Sequence, residues 1–519
     1  MAKEMTPPQL TNFAAEQQRQ FDAITLPQER KERGHFGTPP SIANFMANMV
    51  QPFPKGKIRI LDPGAGVGTL SAAICRQIAD LSEPHDLYFE LWENDPKLKP
   101  FLQQTMEHCR CSLEEAGHQM QYVIRQDDFV LANTQKTLFT SGPEPTFHVA
   151  ILNPPYFKVR KGSAQANAME HVVHGQPNIY VFFMAIAADL LLPNGKMVAI
   201  TPRSYFNGPY FKRFRKWFFD RMTARQIHIF GSRSDAFQDS KVLQENVILA
   251  AQKCRDDAEV TLTSSYGRDL DEVERTHVSY ALVIDDSNGD HVIRVTTSAL
   301  ENDIQGILEK LPRRFAASGL SISTGPVVTF RSTEFLRTER KQNTAPLLWM
   351  HNVRPLVTQF PEKAGKQGHI LISEASKKLL VPASRYVLLK RFTAKEEKRR
   401  LVAGIVEASD SYSEWLGLEN HVNYLYRLGT NLSSEEAFGI AAYLNSALVD
   451  RYFRMISGNT QVNAAEIRAL PVPSEEVLNQ IGHEVKKTAD RSYLTIEKII
   501  GKHLKVPASL LKALCESCQ

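Results

Sequence analysis

Apolar residues in the first half of the chain fall into short runs that alternate with stretches of helical spacing. Ile58, Ile60 and Leu61 form a β-rich run that feeds glycines at 64, 66 and 68, and Leu70, Ile74 and Ile78 then recur every four residues. That pattern predicts strand, turn and helix. Apolar runs at 87–92 and 122–125 predict two more strands, and another ends at Ile151 and Leu152. A helix is expected to open at Asn178, Ile179 and Tyr180 and run through Leu192, stopped by Pro193, Asn194 and Gly195 before a strand at 196–200, with 244–250 as the strand that closes the sheet. Strands and helices in alternation predict an α/β fold with a doubly wound sheet. Beyond about residue 254 charged irregular stretches separate shorter β-like runs at 325–330 and 386–389, followed by a helix around 441–446 and helices over 474–519. Residues 1–33 carry Phe13, Phe21, Ile24 and Leu26 among polar positions, which predicts a helical preface docked on the sheet. The expected divisions are therefore 1–33, 34–254 and 255–519.

Length and composition narrow the class. At 519 residues the chain suits two or three domains, and 43% hydrophobic with 23% charged residues is the balance of a globular protein. No stretch reaches the roughly 18 uninterrupted apolar residues of a membrane span. The Gln-, Glu- and Arg-rich beginning has no signal-peptide core, so a cytoplasmic location without membrane partners is expected. A net charge of +5 permits a polyanionic partner without demanding one. Local clusters at 212–216, at Lys390 and Arg391, and at 398–400 are candidates for phosphate contact, although Glu396 and Glu397 favour a solvated face for the last. Lys212, Arg213, Lys390 and Arg391 are the expected contacts. Cysteines at 75, 109, 111, 254, 515 and 518 do not make a zinc spacing, so reduced thiols and no metal are expected.

The run Asn153, Pro154, Pro155 and Tyr156, directly after an apolar strand, carries the most specific chemistry. An exocyclic amine on an aromatic ring is a poor nucleophile, because its lone pair is delocalised. The Asn153 side-chain oxygen and the Pro154 carbonyl could accept its protons and draw the nitrogen towards tetrahedral geometry. Two prolines restrict the backbone around those acceptors, which keeps the cost of reorganisation low. Tyr156 offers a face for an unstacked base. The glycine spacing differs from the Gly-x-Gly-x-x-Gly of dinucleotide cradles, so a phosphate-free nucleoside cofactor fits better. Glu93, at the tip of the next strand, is placed for ribose hydroxyls. Asp127 or Asp128, with Phe129, would serve an adenine amino group and ring.

In this order the motifs resemble the gamma-class N6-adenine DNA methyltransferases, the stand-alone modification enzymes of type II restriction-modification systems. The resemblance implies a Rossmann-like sheet that binds S-adenosylmethionine over 34–254 and a mixed α+β target-recognition domain over 255–519. Gly34 to Pro40 match the family's opening motif, which puts Thr38 and Pro39 near the methionine end of the cofactor. Asp62, Gly64 and Gly66 match the cofactor loop, Glu93 the ribose acid, and Asp128 with Phe129 the adenine contacts. Asn153, Pro154 and Tyr156 match the catalytic tetrapeptide. An aromatic that presses on the flipped base from the other side is expected at Phe211, with Tyr205 and Tyr210 as substitutes. The second half carries looser counterparts in 421–424, 441–446 and 457–463. In the last of these, Asn459 and Gln461 could pair with adenine edges.

The expected activity is thus direct methyl transfer, without metal or covalent intermediate, to the N6 amino group of adenine flipped from duplex DNA. No convincing nuclease motif accompanies it, so any cognate restriction endonuclease is expected on a separate polypeptide, and its existence stays open. Three other readings also stay open: an RNA adenine methyltransferase, a protein-glutamine methyltransferase, and a non-catalytic DNA-binding specificity protein.

Overall fold

The computed structural model describes residues 9–26, 28–29, 37–134, 145–173, 178–230, 246–256, 258–265, 270, 273–286, 289–295, 299–360, 367–393, 397–457 and 461–518. Two units emerge, Met1–Thr297 and Ser298–Gln519. The first is built on strands β1 (Lys57–Pro63), β2 (Asp86–Trp92), β3 (Gln119–Arg125), β4 (Phe147–Leu152), β5 (Leu191–Pro202), β6 (Thr223–Phe230), β7 (Asn246–Gln252), β8 (Val260–Ser265) and β9 (Val273–Val278). They form one nine-stranded sheet in the order β3-β2-β1-β4-β5-β7-β6-β8-β9. Strands β1 to β5 pair in parallel, and β7 runs antiparallel to both β5 and β6. The strand order reverses between β1 and β4, so the loops leaving the carboxyl ends of these neighbours diverge and leave a crevice.

The α/β expectation holds, with two corrections. The chain does not leave this sheet at residue 254: β8 pairs in parallel with β6, β9 lines the edge, and the division falls at 297/298. The reason lies in burial, since Val260, Leu262, Thr263, Ser264 and Ser265 are covered and continue the core. The apolar helix also ends earlier than expected, spanning Tyr180–Leu190, and β5 begins at Leu191. Pro193, Asn194 and Gly195 do not end a helix; they lie in a register shift of β5 against β4, with Asn194 at φ 65°. Ten of that helix's side chains, from Tyr180 to Leu190, are buried, as befits a helix apolar on every side.

Ahead of the sheet, α1 (Gln9–Ile24) packs on the helices Thr69–Ala79 and Lys99–Glu115, agreeing with a docked preface. The second unit holds a four-stranded sheet of Leu320–Thr324, Val422–Arg427, Tyr386–Lys390 and Ala403–Val406 in that spatial order, and a five-stranded one that includes Thr344–Leu348 and Trp415–Leu418. Residues 325–330 are not a strand: only Val327 bridges, to Glu419, and Thr329–Arg331 is a short 3₁₀ turn. The expected helices appear as Ser434–Asn445, Glu475–Lys487, Tyr493–His503 and Ala508–Glu516. The first two cross closely, because a Cβ on Gly439 or Gly482 would strike the backbone of Leu478 or Glu435. No described helix is long and apolar enough to cross a membrane.

Candidate active site

The crevice at the β1/β4 reversal contains a cavity of ≈ 440 Å³. After β1 the backbone turns through Gly64, Gly66 and Gly68 at φ 79°, 57° and 88°, a left-handed path that glycine alone takes at little cost. The turn is tied to β2 by Gly64 N and Ala65 N, which donate to Trp92 O at 2.8 and 3.0 Å. A Cβ on Gly64 would lie 3.6 Å from Asn153 O and 3.7 Å from Pro154 Cα, so the glycine turn and the Asn153 loop face each other closely. Thr38, Gly64, Gly66, Glu93, Asp127, Asp128, Phe129 and Asn153, all singled out from sequence, line this one cavity.

Glu93 is buried, and its carboxylate accepts from Gly66 N at 3.0 Å and from Asp95 N at 2.8 Å. Burial pushes its carboxyl above the ordinary range, and the two backbone donors pull the other way. Asp128 Oδ1 accepts from Leu131 N at 2.9 Å and so caps the short helix Phe129–Thr134. Its Oδ2 accepts from Gln165 Nε2 at 3.0 Å. Asp127 lines the cavity as well, so lining does not separate the two aspartates. The ring of Phe129 packs on Trp92 and Phe183, with centroids 5.4 and 4.9 Å apart, giving this end of the cavity aromatic walls.

Asp62 stands apart from the cavity lining. It is fully buried beneath the turn, where Ser71 Oγ donates to its Oδ2 at 2.6 Å and Oδ1 has no hydrogen-bond partner. Loss of solvent pushes its pKa up to about 7. Its geometry is that of a support for the glycine turn rather than a ligand contact. Pro39 likewise precedes the helix Pro40–Asn48 without lining the cavity, whereas Thr38 does.

At the opposite end, Asn153 Nδ2 donates to Thr38 Oγ1 at 3.0 Å, and Tyr156 OH lies 2.7 Å from Asn153 Oδ1 and 3.0 Å from Ile200 O. One hydroxyl proton thus serves two acceptors, and the tyrosine holds the asparagine amide in place. Pro155 lines the cavity. Tyr156, expected to show a free face, is only 8% exposed, with its ring edge-on to Tyr180. Phe211 was expected opposite it and is buried too, stacked on Tyr180 at 6.1 Å. Tyr180 thus touches both expected stacking rings, and neither of them lines the cavity. Of the substitutes, Tyr205 is fully buried and Tyr210 is 62% exposed.

The basic cluster at 212–216 divides on folding. Arg215 is buried and donates to the carbonyls of Asp290, Tyr205 and Gly208 at 2.9, 3.1 and 2.8 Å, so it braces the loop before Phe211 instead of meeting phosphate. Lys212 pairs with Asp290, while Arg213 stays exposed with a long bond to Glu170 O at 3.4 Å. In the second unit Arg391 and Gln461 meet, with Arg391 Nη2 donating to Gln461 Oε1 at 3.2 Å, and Lys390 is half-buried. Asn459 lies outside the described residues.

Several cavity residues escaped the sequence reading. Gln18 and Phe21 come from α1, Gln165 from the short helix Ala164–Ala168, Phe183 packs on Phe129, and Phe157 lines the cavity as well. Phe157 is 42% exposed, which only the structure reveals; the sequence marks it solely by its place directly after the tetrapeptide.

Residues 88–237 match the model of the Eco57I restriction-modification methylase family. The chain is 34% identical over 480 residues to type II methyltransferase M.PstI of Providencia stuartii, covering 92% of this chain and 94% of that protein. It is 33% identical over 467 residues to type II methyltransferase M.BsuBI of Bacillus subtilis, covering 88% and 91%. The chain belongs to the type II methyltransferases of restriction-modification systems.

Proposed function

We propose that this protein transfers a methyl group from S-adenosylmethionine to the N6 amino group of an adenine turned out of duplex DNA, as the modification half of a restriction-modification system. The observation that carries the reading is the shared cavity: Asn153 and Pro155 line the same ≈ 440 Å³ space as the glycine turn and Glu93. The donor set fits a nucleoside cofactor. Glu93 supplies acceptors for a ribose diol, Asp128 an acceptor for an adenine amine, and Trp92, Phe129 and Phe183 apolar walls for a purine. When bound, the cofactor supplies an electrophilic methyl group on a sulfonium.

The protein's own part is acceptance and positioning. Asn153 Oδ1 and the Pro154 carbonyl take hydrogen bonds from the target amine, which localises its lone pair and aligns it for attack. Thr38 and Tyr156 fix the Asn153 amide before the substrate arrives. Unstacking an adenine costs a few kcal/mol, which contact with aromatic rings offsets. The reading gives that contact to Tyr156 and Phe211, both of which touch Tyr180 in this structure. Basic residues such as Arg213 and Arg391 hold phosphates, and the second unit reads the target sequence.

Sequencing DNA from cells that express the parent or Asn153→Ala, with a method sensitive to N6-methyladenine, tests the proposal. A short methylated motif present only with the parent is expected. The same motif in both samples removes Asn153 from the chemistry; methylated RNA or glutamine with unmodified DNA replaces the substrate.

A further inference from the structure

The turn at 419–421 in the second unit is held from several sides. Glu419 N donates to Leu348 O and Asn420 N to Val327 O, both at 3.0 Å, while Gly325 N donates to Val422 O at 2.8 Å. Gly325 admits no side chain, since a Cβ there would strike the backbone of Leu418 and Glu419. The side chain of Glu419 is fully buried; its Oε2 accepts from His421 N at 3.0 Å, and its Oε1 lies 2.7 Å from His421 Nδ1. Burial pushes the Glu419 carboxyl above its ordinary range, so a neighbouring proton or cation is needed there. The His421 ring lies against that carboxylate and is still 42% exposed. With Nδ1 turned to the carboxylate, Nε2 faces away from it.

Two further polar side chains arrive at the same place from distant segments. Arg391 N donates to His421 O at 2.9 Å, its Nη1 donates to Asn420 O at 2.9 Å, and its Nη2 to Gln461 Oε1 at 3.2 Å. Val462 N returns a bond to Arg391 O at 2.7 Å, and the ring of Phe392 packs edge-on to His421 at 4.7 Å. Because Gln461 Oε1 is engaged, its amide nitrogen is the end left to donate. Arginine only donates. The cluster is therefore rich in oriented donors, and its ligand should present acceptors. Duplex DNA offers these as phosphate oxygens and as O6 and N7 of guanine.

We propose that Arg391, His421 and Gln461 form a DNA-contact site in the second unit, with the buried Glu419 as the positioning residue for His421. This rests on the reading above that duplex DNA is the substrate. The plain alternative is a capped turn with no ligand, and the two differ in what substitution does to DNA affinity.

Fluorescence anisotropy with two labelled duplexes, one carrying the motif methylated in expressing cells and one lacking it, tests the site in full-length His421→Ala and Gln461→Ala. Titration with S-adenosylhomocysteine and a melting curve serve as controls. Binding of the motif duplex should weaken about tenfold in each variant, with cofactor affinity unchanged. Equal weakening on both duplexes with a shallower salt dependence assigns the contact to phosphate, and weakening confined to the motif duplex assigns it to base edges; either supports the site. DNA affinity within about twofold of the parent for both variants overturns it. Should His421→Ala melt early, Gln461→Ala, on a partly exposed side chain, decides alone. If the parent binds no duplex DNA, this site and the proposed function fall together; a parent that methylates DNA beside indifferent variants overturns the site only.

Discussion

The two units build polar sites in different ways. In the sheet unit the chemistry hangs on short contiguous motifs at strand ends. Glycines 64 to 68 follow β1, Glu93 follows β2 and Asn153 follows β4, and parallel pairing of those strands brings the three loops together. The donor cluster of the second unit draws Arg391, His421 and Gln461 from separate segments, joined by individual hydrogen bonds and one buried carboxylate. Parallel strands thus act as a jig that aligns any residue placed at their carboxyl ends. In the second unit no such rule applies, and each polar group needs its own partner.

Substitutions can sharpen this contrast. The largest effect is expected from Asn153→Ala, which should slow methyl transfer about a thousandfold while leaving cofactor affinity nearly unchanged, in single-turnover assays with titration of the cofactor product. A large fall in cofactor affinity instead would make Asn153 part of the binding wall. Next comes Asp62. Its pKa rises to about 7 on folding from an ordinary value near 4, so the native state binds the extra proton between those limits. Stability from this group is complete below about pH 4 and falls as pH rises towards 7, on the order of 3 to 4 kcal/mol over the interval. Melting curves of the parent and Asp62→Asn across this range should diverge accordingly, the variant lacking that slope; parallel curves would count against a buried, proton-binding Asp62.

Gly482→Ala probes the second unit alone. The new methyl meets the Glu435 backbone where the two helices cross, and destabilisation of about 1–3 kcal/mol is expected by denaturant melting. Cofactor affinity should survive it, because the residues that line the cavity all belong to the other unit. The smallest effect is expected for Glu93→Gln. The amide keeps one acceptor oxygen for either Gly66 N or Asp95 N, turns its NH2 towards the other donor and loses charge-assisted bonds, so cofactor affinity should drop about tenfold by calorimetry. No change would remove Glu93 from the ribose-binding role.

Much of the sheet unit was legible because local rules and tertiary outcome coincide there. Apolar runs at 58–61, 87–92 and 122–125 fall within the strands Lys57–Pro63, Asp86–Trp92 and Gln119–Arg125, and glycine spacing marks the turn. The misreadings have physical causes. Pro193, Asn194 and Gly195 look like a helix stop, yet β5 absorbs them as a register shift because its neighbours on both sides hold the strand. Strands β8 and β9 look like the start of another domain because charged stretches border them, while β6, on which β8 pairs and through it β9, is remote in sequence. The arginine-rich stretch at 212–216 read as one basic patch, but helical geometry turned Arg215 inward to the carbonyls of Tyr205 and Gly208.

The sequence alone determined the family, since Asn153, the glycine turn and Glu93 are each encoded within a few consecutive residues whose backbone preferences are local. Only the tertiary structure decided which side chains share a space. It buried Tyr156 and Phe211 against Tyr180, brought Gln18 and Gln165 to the cavity, and set Glu419 beneath His421. Burial and long-range hydrogen bonding depend on packing between segments far apart in the chain, and no local pattern carries that information.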